Sequence, residues 1–329
     1  MNAAAGPASY AEQGLAPLRD LLVSDDVNEV VINPDRSVWV EYAREAHMRK
    51  WDGSTPTDRL NVLGAHLAGE TKNRLGPAHP IVSGRLHVFG RSMRVQVIVP
   101  PAIEAGVSVS IRKYVARILD VGEVDFLTGA EVDVEGRRLA RLESLRALAE
   151  AGDLGKLLRT AVDLRLNLLI SGGTSSGKTT LARAVMSMAD RGERMVTIED
   201  ALELNLPHPN SVALVAERVA DSERSPARLL ESALRMRPDR LILGEIRGPE
   251  AFNFLEAINT GHPGSISTIH ADSPRLALER MAMMVLRAGL NLSREDVLDY
   301  ARATIDIVIQ TGRQDGRRGV LQVFMPALS

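Results

Sequence analysis

Cysteine is absent from all 329 residues. That excludes disulfides, thiolate zinc sites and a cysteine nucleophile, and it suits a reducing compartment. Aromatic residues amount to 3%, with two tryptophans, so stacking platforms for single-stranded nucleic acid are scarce. Charge of one sign is lacking too: 40 basic residues stand against 42 acidic ones, for a net charge of −2. No global basic field is present to attract a phosphate backbone. Nowhere does an apolar run approach the ~20 residues that a membrane-spanning helix needs. The start, MNAAAGPASYAEQG, has neither a basic n-region nor an apolar h-region and does not read as a signal peptide. Its first roughly ten residues are expected to be disordered.

What is present is an ordinary globular mixture, 45% hydrophobic and 25% charged, long enough for about two domains. LAPLRDLLVSDD predicts a short helix. NEVVINPDRSVWVEY predicts a hairpin that turns at Asn33-Pro34-Asp35. A helical pattern near Asp58–Thr71 is followed by SGRLHVFG, SMRVQVIVP and VSVSIRK. Val95, Val97 and Val99 alternate onto one strand face, as do Val107, Val109 and Ile111. Residues 1–113 therefore read as an α+β domain, and 114–122 as a linker.

From 123 to 329 the pattern changes. Arg137 to Leu166 is mostly helical, and then LNLLISG, RMVTIE, VALVA, RLILGEI, SISTIH and IDIVIQT alternate with helices. Short, near-continuous apolar runs between helices indicate strands covered on both faces and mainly parallel. Ser225-Pro226 and Ser273-Pro274 each place a capping residue before a proline suited to the first helical turn. Ser293 and Asp296 have the spacing of a capping box.

The chemistry gathers at the C-terminal ends of these strands, where open α/β sheets bind ligands. GGTSSGKTT follows LNLLI and precedes a helix, and it contains G-x-x-x-x-G-K-[ST]. In this phosphate loop the backbone of Gly172, Gly173, Thr174, Ser175, Ser176 and Gly177 would turn its N–H groups toward a nucleotide. Lys178 would reach the β- and γ-phosphates, Thr179 would ligate Mg²⁺, and Thr180 is the last of the nucleotide-binding residues. RMVTIEDALEL ends in Glu199 and Asp200, with Glu203 one turn on. These acids are placed to hold Mg²⁺ or its waters, or else they are solvated acids of a loop. RPDRLILGEIRG carries Glu245 directly after a buried strand. Gly244 stands where many ATPases carry a metal-binding Asp, so a water-activating role suits Glu245 better than metal ligation. His270 closes SISTIH, where an imidazole would contact the γ-phosphate and report its loss.

Taken in order, GGTSSGKTT, IEDALEL, LRMRPDRLILGEIRG and TGHPGSISTIHADSP resemble the four motifs of the hexameric traffic ATPases of bacterial secretion, pilus and conjugation systems. The likeness runs from about Ser83 onward and is most specific over 167–275. VVINPDRSVWVE is similar to the N-terminal domain of the type IV secretion and conjugal-transfer branch. The resemblance implies a RecA-like P-loop ATPase domain with a mainly parallel sheet, preceded by a smaller α+β domain. It makes Glu199, Asp200 and Glu203 the Asp box, Glu245 the catalytic Walker B glutamate, and His262 and His270 the His box. It also matches Arg94 and Arg112 to arginines that act on the γ-phosphate from the N-terminal domain. ATP and Mg²⁺, a homohexamer and inner-membrane channel proteins as partners follow from it. So do a cytoplasmic place with peripheral membrane association through those partners, and no sequence-specific nucleic-acid binding.

Departures matter as well. General-secretion assembly ATPases usually carry a four-cysteine zinc module, which a cysteine-free chain lacks; Ala201 replaces the Pro or Thr often seen after the acidic pair. Three other readings compete: a type IV pilus assembly or retraction ATPase, a RecA-like DNA translocase or helicase, and a non-hydrolysing nucleotide-binding assembly factor. Near-neutral charge and few aromatics count against the translocase, and an intact Glu245 counts against the assembly factor.

Overall fold

A computed structural model describes residues 9–53, 59–114, 120–124, 133–219 and 221–329. The chain divides into two compact units. The first comprises Met1–Tyr114 with Asp190–Gly244, the second Val115–Ala189 with Glu245–Ser329. Residues 1–8, expected to be disordered, and 115–119 of the expected linker lie outside the described residues.

The first unit opens with α1 (Tyr10–Leu15) and α2 (Arg19–Val23), joined by a 3₁₀ turn at Ala16–Leu18. A helix was expected over this stretch, and Pro17 interrupts it because proline offers no N–H to the ladder. Then follow β1 (Val27–Ile32), β2 (Val38–Tyr42), β3 (Arg49–Trp51), α3 (Leu60–Glu70), β4 (Ile81–Val88), β5 (Arg91–Ile98) and β6 (Ser108–Lys113). They make an antiparallel six-stranded sheet in the order β3-β2-β1-β6-β5-β4. The β1–β2 hairpin turns where the sequence predicts, with Arg36 at φ 73° and its N–H donated to Asn33 O at 2.8 Å. Alternation does what it promised: Val95, Val97, Val107, Val109 and Ile111 join Leu15, Leu18, Leu22, Leu63 and Leu67 in one buried core.

The second unit begins with α4 (Val134–Glu150), α5 (Leu154–Asp163), β7 (Leu168–Gly172) and α6 (Lys178–Met186). The chain returns to the first unit for β8 (Met195–Glu199), β9 (Ser211–Val215), α7 (Pro226–Ala233) and β10 (Arg240–Ile246), which it leaves after Gly244. It ends in the second unit with α8 (Glu250–Asn259), β11 (Ile266–Ile269), α9 (Pro274–Arg287), α10 (Arg294–Thr304), β12 (Ile307–Gln314) and β13 (Arg317–Phe324). Within the first unit β8 pairs in parallel with both β9 and β10. Within the second, β7 pairs in parallel with β11 and β12, and β13 folds back on β12. The fold is thus α/β with mainly parallel strands, as expected. Every residue of β7 and β8 is buried, which is why neither shows polar alternation.

Polar groups settle the strand starts. Asn167, just before β7, accepts from Gly264 N at 3.0 Å and Ser265 N at 3.3 Å, and donates from Nδ2 to Thr304 O at 3.0 Å. Its own N–H donates to Asp306 Oδ2 at 2.7 Å, and Arg138 Nε donates to the other carboxylate oxygen at 2.7 Å. In the first unit, Arg240 and Glu193 form a buried two-point ion pair, at 2.6 and 2.8 Å. Of the anticipated caps, Ser273 accepts from Leu276 N and Ser293–Asp296 forms a complete capping box, whereas Ser225 makes no side-chain cap bond.

Candidate nucleotide site

β7 delivers its last residue, Gly172, to a loop that ends at Gly177, and α6 begins with Lys178. Gly177 sits at φ 97°, a left-handed conformation in which a side chain would strain the backbone. Gly172 is needed for space: a Cβ there would come within 2.3 Å of Thr311 Oγ1 and 2.4 Å of Ser176 Oγ. Those hydroxyls lie 2.8 Å apart; Thr311 also reaches Ser171 O at 3.0 Å and Ser176 reaches Gly173 O at 2.9 Å. Two hydroxyl protons serve three contacts, so the pair holds the loop from either side. Thr174 and Ser175 are exposed, Thr179 is half-buried and Thr180 is exposed at the start of α6. Small residues, a left-handed glycine and a nine-residue helix starting at the loop form a cradle whose free amides suit phosphate oxygens.

Lys178 is buried and donates to Gly172 O at 3.0 Å and Gly173 O at 2.9 Å, so its ammonium caps the loop it follows. Burial lowers its pKa, the nearby Glu245 carboxylate opposes that shift, and Arg247 adds to it. From Lys178 a chain of contacts leads to Glu245. Lys178 Nζ is 3.4 Å from His270 Nδ1, and His270 Nε2 is 3.1 Å from Glu245 Oε1. An ammonium can only donate, so Nδ1 accepts and Nε2 carries the proton toward the carboxylate. This requires a neutral ring. Burial lowers the His270 pKa, Glu245 pulls it up, and Lys178, Arg247 and Arg280 push it down. The His270–Glu245 contact is therefore a close approach of a neutral imidazole to a carboxylate oxygen, Oε1, that makes no hydrogen bond among the described residues. Arg247 Nη2 holds the other oxygen of Glu245 at 2.5 Å.

Glu199 occupies the end of β8 in the first unit and is buried. Its Oε1 accepts from Thr197 Oγ1 at 2.7 Å, and its Oε2 accepts from the backbone of Glu203 at 2.8 Å and Leu204 at 2.9 Å. It shapes the loop that carries the other two acids. Asp200 accepts from Arg218 Nε with both oxygens at 2.9 Å, and the Glu203 side chain is exposed. Among the described residues no group of three or more His, Asp or Glu side chains is assembled to hold a metal ion.

Arg94 and Arg112 stand directly opposite each other on β5 and β6 of the first unit. Arg94 donates from Nε to Tyr114 OH at 3.0 Å and lies over that ring. His262 takes no part in the Lys178–His270–Glu245 chain of contacts. Its Nδ1 donates to Ala257 O at 3.2 Å and its carbonyl accepts from Ser265 Oγ at 2.7 Å, bracing the turn before β11.

Sequence reasoning brought Lys178, Glu245 and His270 to one place and missed two neighbours. Arg247 lies two residues past Glu245 in the same GEIRG stretch. Thr311 had no local signal: the parallel register of β7 and β12, which sets it against Gly172, is what makes it part of the loop.

Comparison with known proteins follows the same lines. The model of a family described as "Type II/IV secretion system protein" matches residues 134–310. The chain is 33% identical to the type IV secretion system protein VirB11 of Bartonella quintana, over 94% of this chain and 91% of that one. It is 36% identical to VirB11 of Brucella suis, over 92% and 86% respectively. The crystal structure of the VirB11 ATPase from the Brucella suis type IV secretion system, in complex with sulphate, superposes with a TM-score of 0.82 at 32% identity, covering 96% of this chain and 97% of that one.

Proposed function

The chain belongs to the type II/IV secretion system protein family, and from that premise we propose that it is the ring-forming motor of a type IV secretion or conjugal-transfer apparatus. It is an ATPase, converting ATP and water to ADP and phosphate. The observation that carries the mechanism is the contact chain from Lys178 through His270 to Glu245.

Glu245 is the base that orients and activates water, an effect worth about 10²–10⁴ in rate for a positioned general base. Arg247 holds its Oε2, while Oε1, 3.1 Å from His270 Nε2, makes no hydrogen bond among the described residues and is left to take the proton of water. Lys178 exchanges its loop carbonyls for the phosphates, and that movement removes the donor to His270 Nδ1. His270 thereby couples phosphate occupancy to the setting of Glu245. Thr179, Asp200 and Glu203 are the residues assigned to Mg²⁺, which neutralises charge on the phosphates when bound. Glu199 is a positioning residue that acts through its grip on the 200–204 loop. Arg94 and Arg112 act on the γ-phosphate, and their place on the 1–113 domain, joined by 114–122 to the 123–329 ATPase domain, ties hydrolysis to domain movement.

The working assembly is a homohexamer that pushes on inner-membrane channel proteins from the cytoplasmic side. No helix among the described residues is long and apolar enough to cross a membrane, which supports attachment through partners.

Lys178→Ala is expected to abolish ATP hydrolysis in the purified protein, and unchanged turnover would overturn the site. Glu245→Gln should lower kcat by about 10²–10⁴ while leaving nucleotide binding intact. A gene deletion complemented with Glu245→Gln should stay defective in DNA transfer or protein secretion; restored secretion would overturn the motor role.

A further inference from the structure

The first unit's antiparallel sheet buries one face, with Met93, Val95 and Val97 in its core. The residues between them point the other way. Across that second face Arg85 stands opposite Arg94, Arg94 opposite Arg112, Arg112 opposite Glu29, and Glu29 opposite Glu41. Like charges directly opposite each other on neighbouring strands destabilise a sheet, so three arginines in a row call for an anion. One step along the strands Ser83 faces Gln96 and Gln96 faces Ser110. Both rows, Glu41 excepted, line a cavity of about 480 Å³ within this unit.

Two donors in this cavity are buried without a partner among the described residues: Gln96 Nε2 and Ser110 Oγ. Ser83 Oγ donates to Gln96 Oε1, which leaves Nε2 as the spare end of the amide. A buried polar atom left unpaired is costly unless a ligand meets it. Glu29 supplies the opposing charge; it is 2% exposed. The charges around it are Glu41 on β2, Arg112 on β6, Arg194 before β8 and Arg237 after α7.

We infer that this cavity binds a phosphate-like oxyanion, with Gln96 and Ser110 donating to it beside the arginine row and Glu29 competing with it for Arg112. The inference deepens the role assigned above to Arg94 and Arg112, and depends on that reading only for where the anion comes from. Burial and the facing Glu41 raise the Glu29 pKa to about 7. Near neutrality Glu29 therefore changes from a silent neighbour to a competitor.

Full-length protein carrying Lys178→Ala, which weakens the phosphate loop, is titrated calorimetrically with sulphate at about pH 6 and about pH 8, either side of the Glu29 transition. Sulphate keeps its charge across this range, so any pH effect belongs to the protein. One sulphate per chain should bind, about tenfold more weakly at the higher pH. Arg112→Ala should abolish binding. Ser110→Ala and Gln96→Leu should each weaken it about tenfold, the loss expected for a hydrogen bond to a charged group. Ser110→Ala removes a single oxygen, and melting curves confirm that each variant is folded. Glu29→Gln should bind sulphate equally well at both pH values. No binding, indifference to Ser110→Ala and Gln96→Leu, or a pH dependence that survives Glu29→Gln overturns the site.

Competition then separates the sources. ATP displacing sulphate where ADP does not identifies a nucleotide's terminal phosphate, whereas displacement by inorganic phosphate alone identifies the free ion. If Arg94→Ala and Arg112→Ala leave turnover intact while sulphate still responds to Ser110→Ala, the γ-phosphate role falls and this site stands. Loss of turnover with no response to Ser110→Ala or Gln96→Leu is the reverse case.

Discussion

His270 shows how one side chain's chemistry is set by its neighbours. Its Nδ1 faces a cation that can only donate, so that nitrogen accepts and the ring proton sits on Nε2, 3.1 Å from the Glu245 carboxylate. His270→Ala removes the link and should cut turnover by about tenfold or more with a smaller change in ATP affinity. An equal loss in both would mean that the ring merely fills space. Glu29 is the second residue whose surroundings decide its charge. It keeps its proton up to about pH 7 in the fold, against an ordinary value of 4.5. The folded state thus binds the extra proton between those values. The associated stability is fully present below about pH 4.5 and is lost as pH rises through 7, a difference of roughly 3 kcal/mol. Glu29→Gln should flatten that decline and raise the melting temperature at about pH 8. An unchanged pH profile of thermal unfolding would show that Glu29 ionises freely.

Among the elements, β7 carries most of the site because it serves two ends. Its C-terminal end feeds the phosphate loop, and its N-terminal end is anchored by Asn167. The Asn167 side chain satisfies two backbone N–H groups of the turn before β11 and the carbonyl of Thr304. Asn167→Ala should therefore destabilise the protein by about 2–3 kcal/mol, since it strands buried backbone groups. Urea unfolding measures this, and a loss within experimental error would mean that the turn re-pairs on its own. Spacing alone placed the loop, Glu245 and His270 at strand ends, and it placed the Ser273 and Ser293 caps. It missed the break at Pro17, where the apolar pattern continues but the proline interrupts the ladder. It also missed Thr311, 132 positions beyond Thr179 in the chain, because cross-strand register is not written in local periodicity.

For the whole molecule, the proposed ring has the widest consequences. Sedimentation in the presence of nucleotide should give a species of six times the chain mass, and a monomer under all conditions would sink the ring. Arg112→Ala subunits mixed with Lys178→Ala subunits should regain turnover if the arginine acts across an interface, and should not if it acts within its own subunit. The chain's linear pattern was enough for the α/β class, the phosphate loop, the glutamate after its buried strand and the family, because each depends on residues close together in sequence. Tertiary structure alone decided which polar groups meet. Strand pairing set Arg85, Arg94 and Arg112 in one row with Glu29, left Gln96 and Ser110 as spare buried donors, and brought His270 between Lys178 and Glu245. Local sequence sets each strand's two faces by alternation, but the partner that each face meets depends on long-range register and on the burial that register creates.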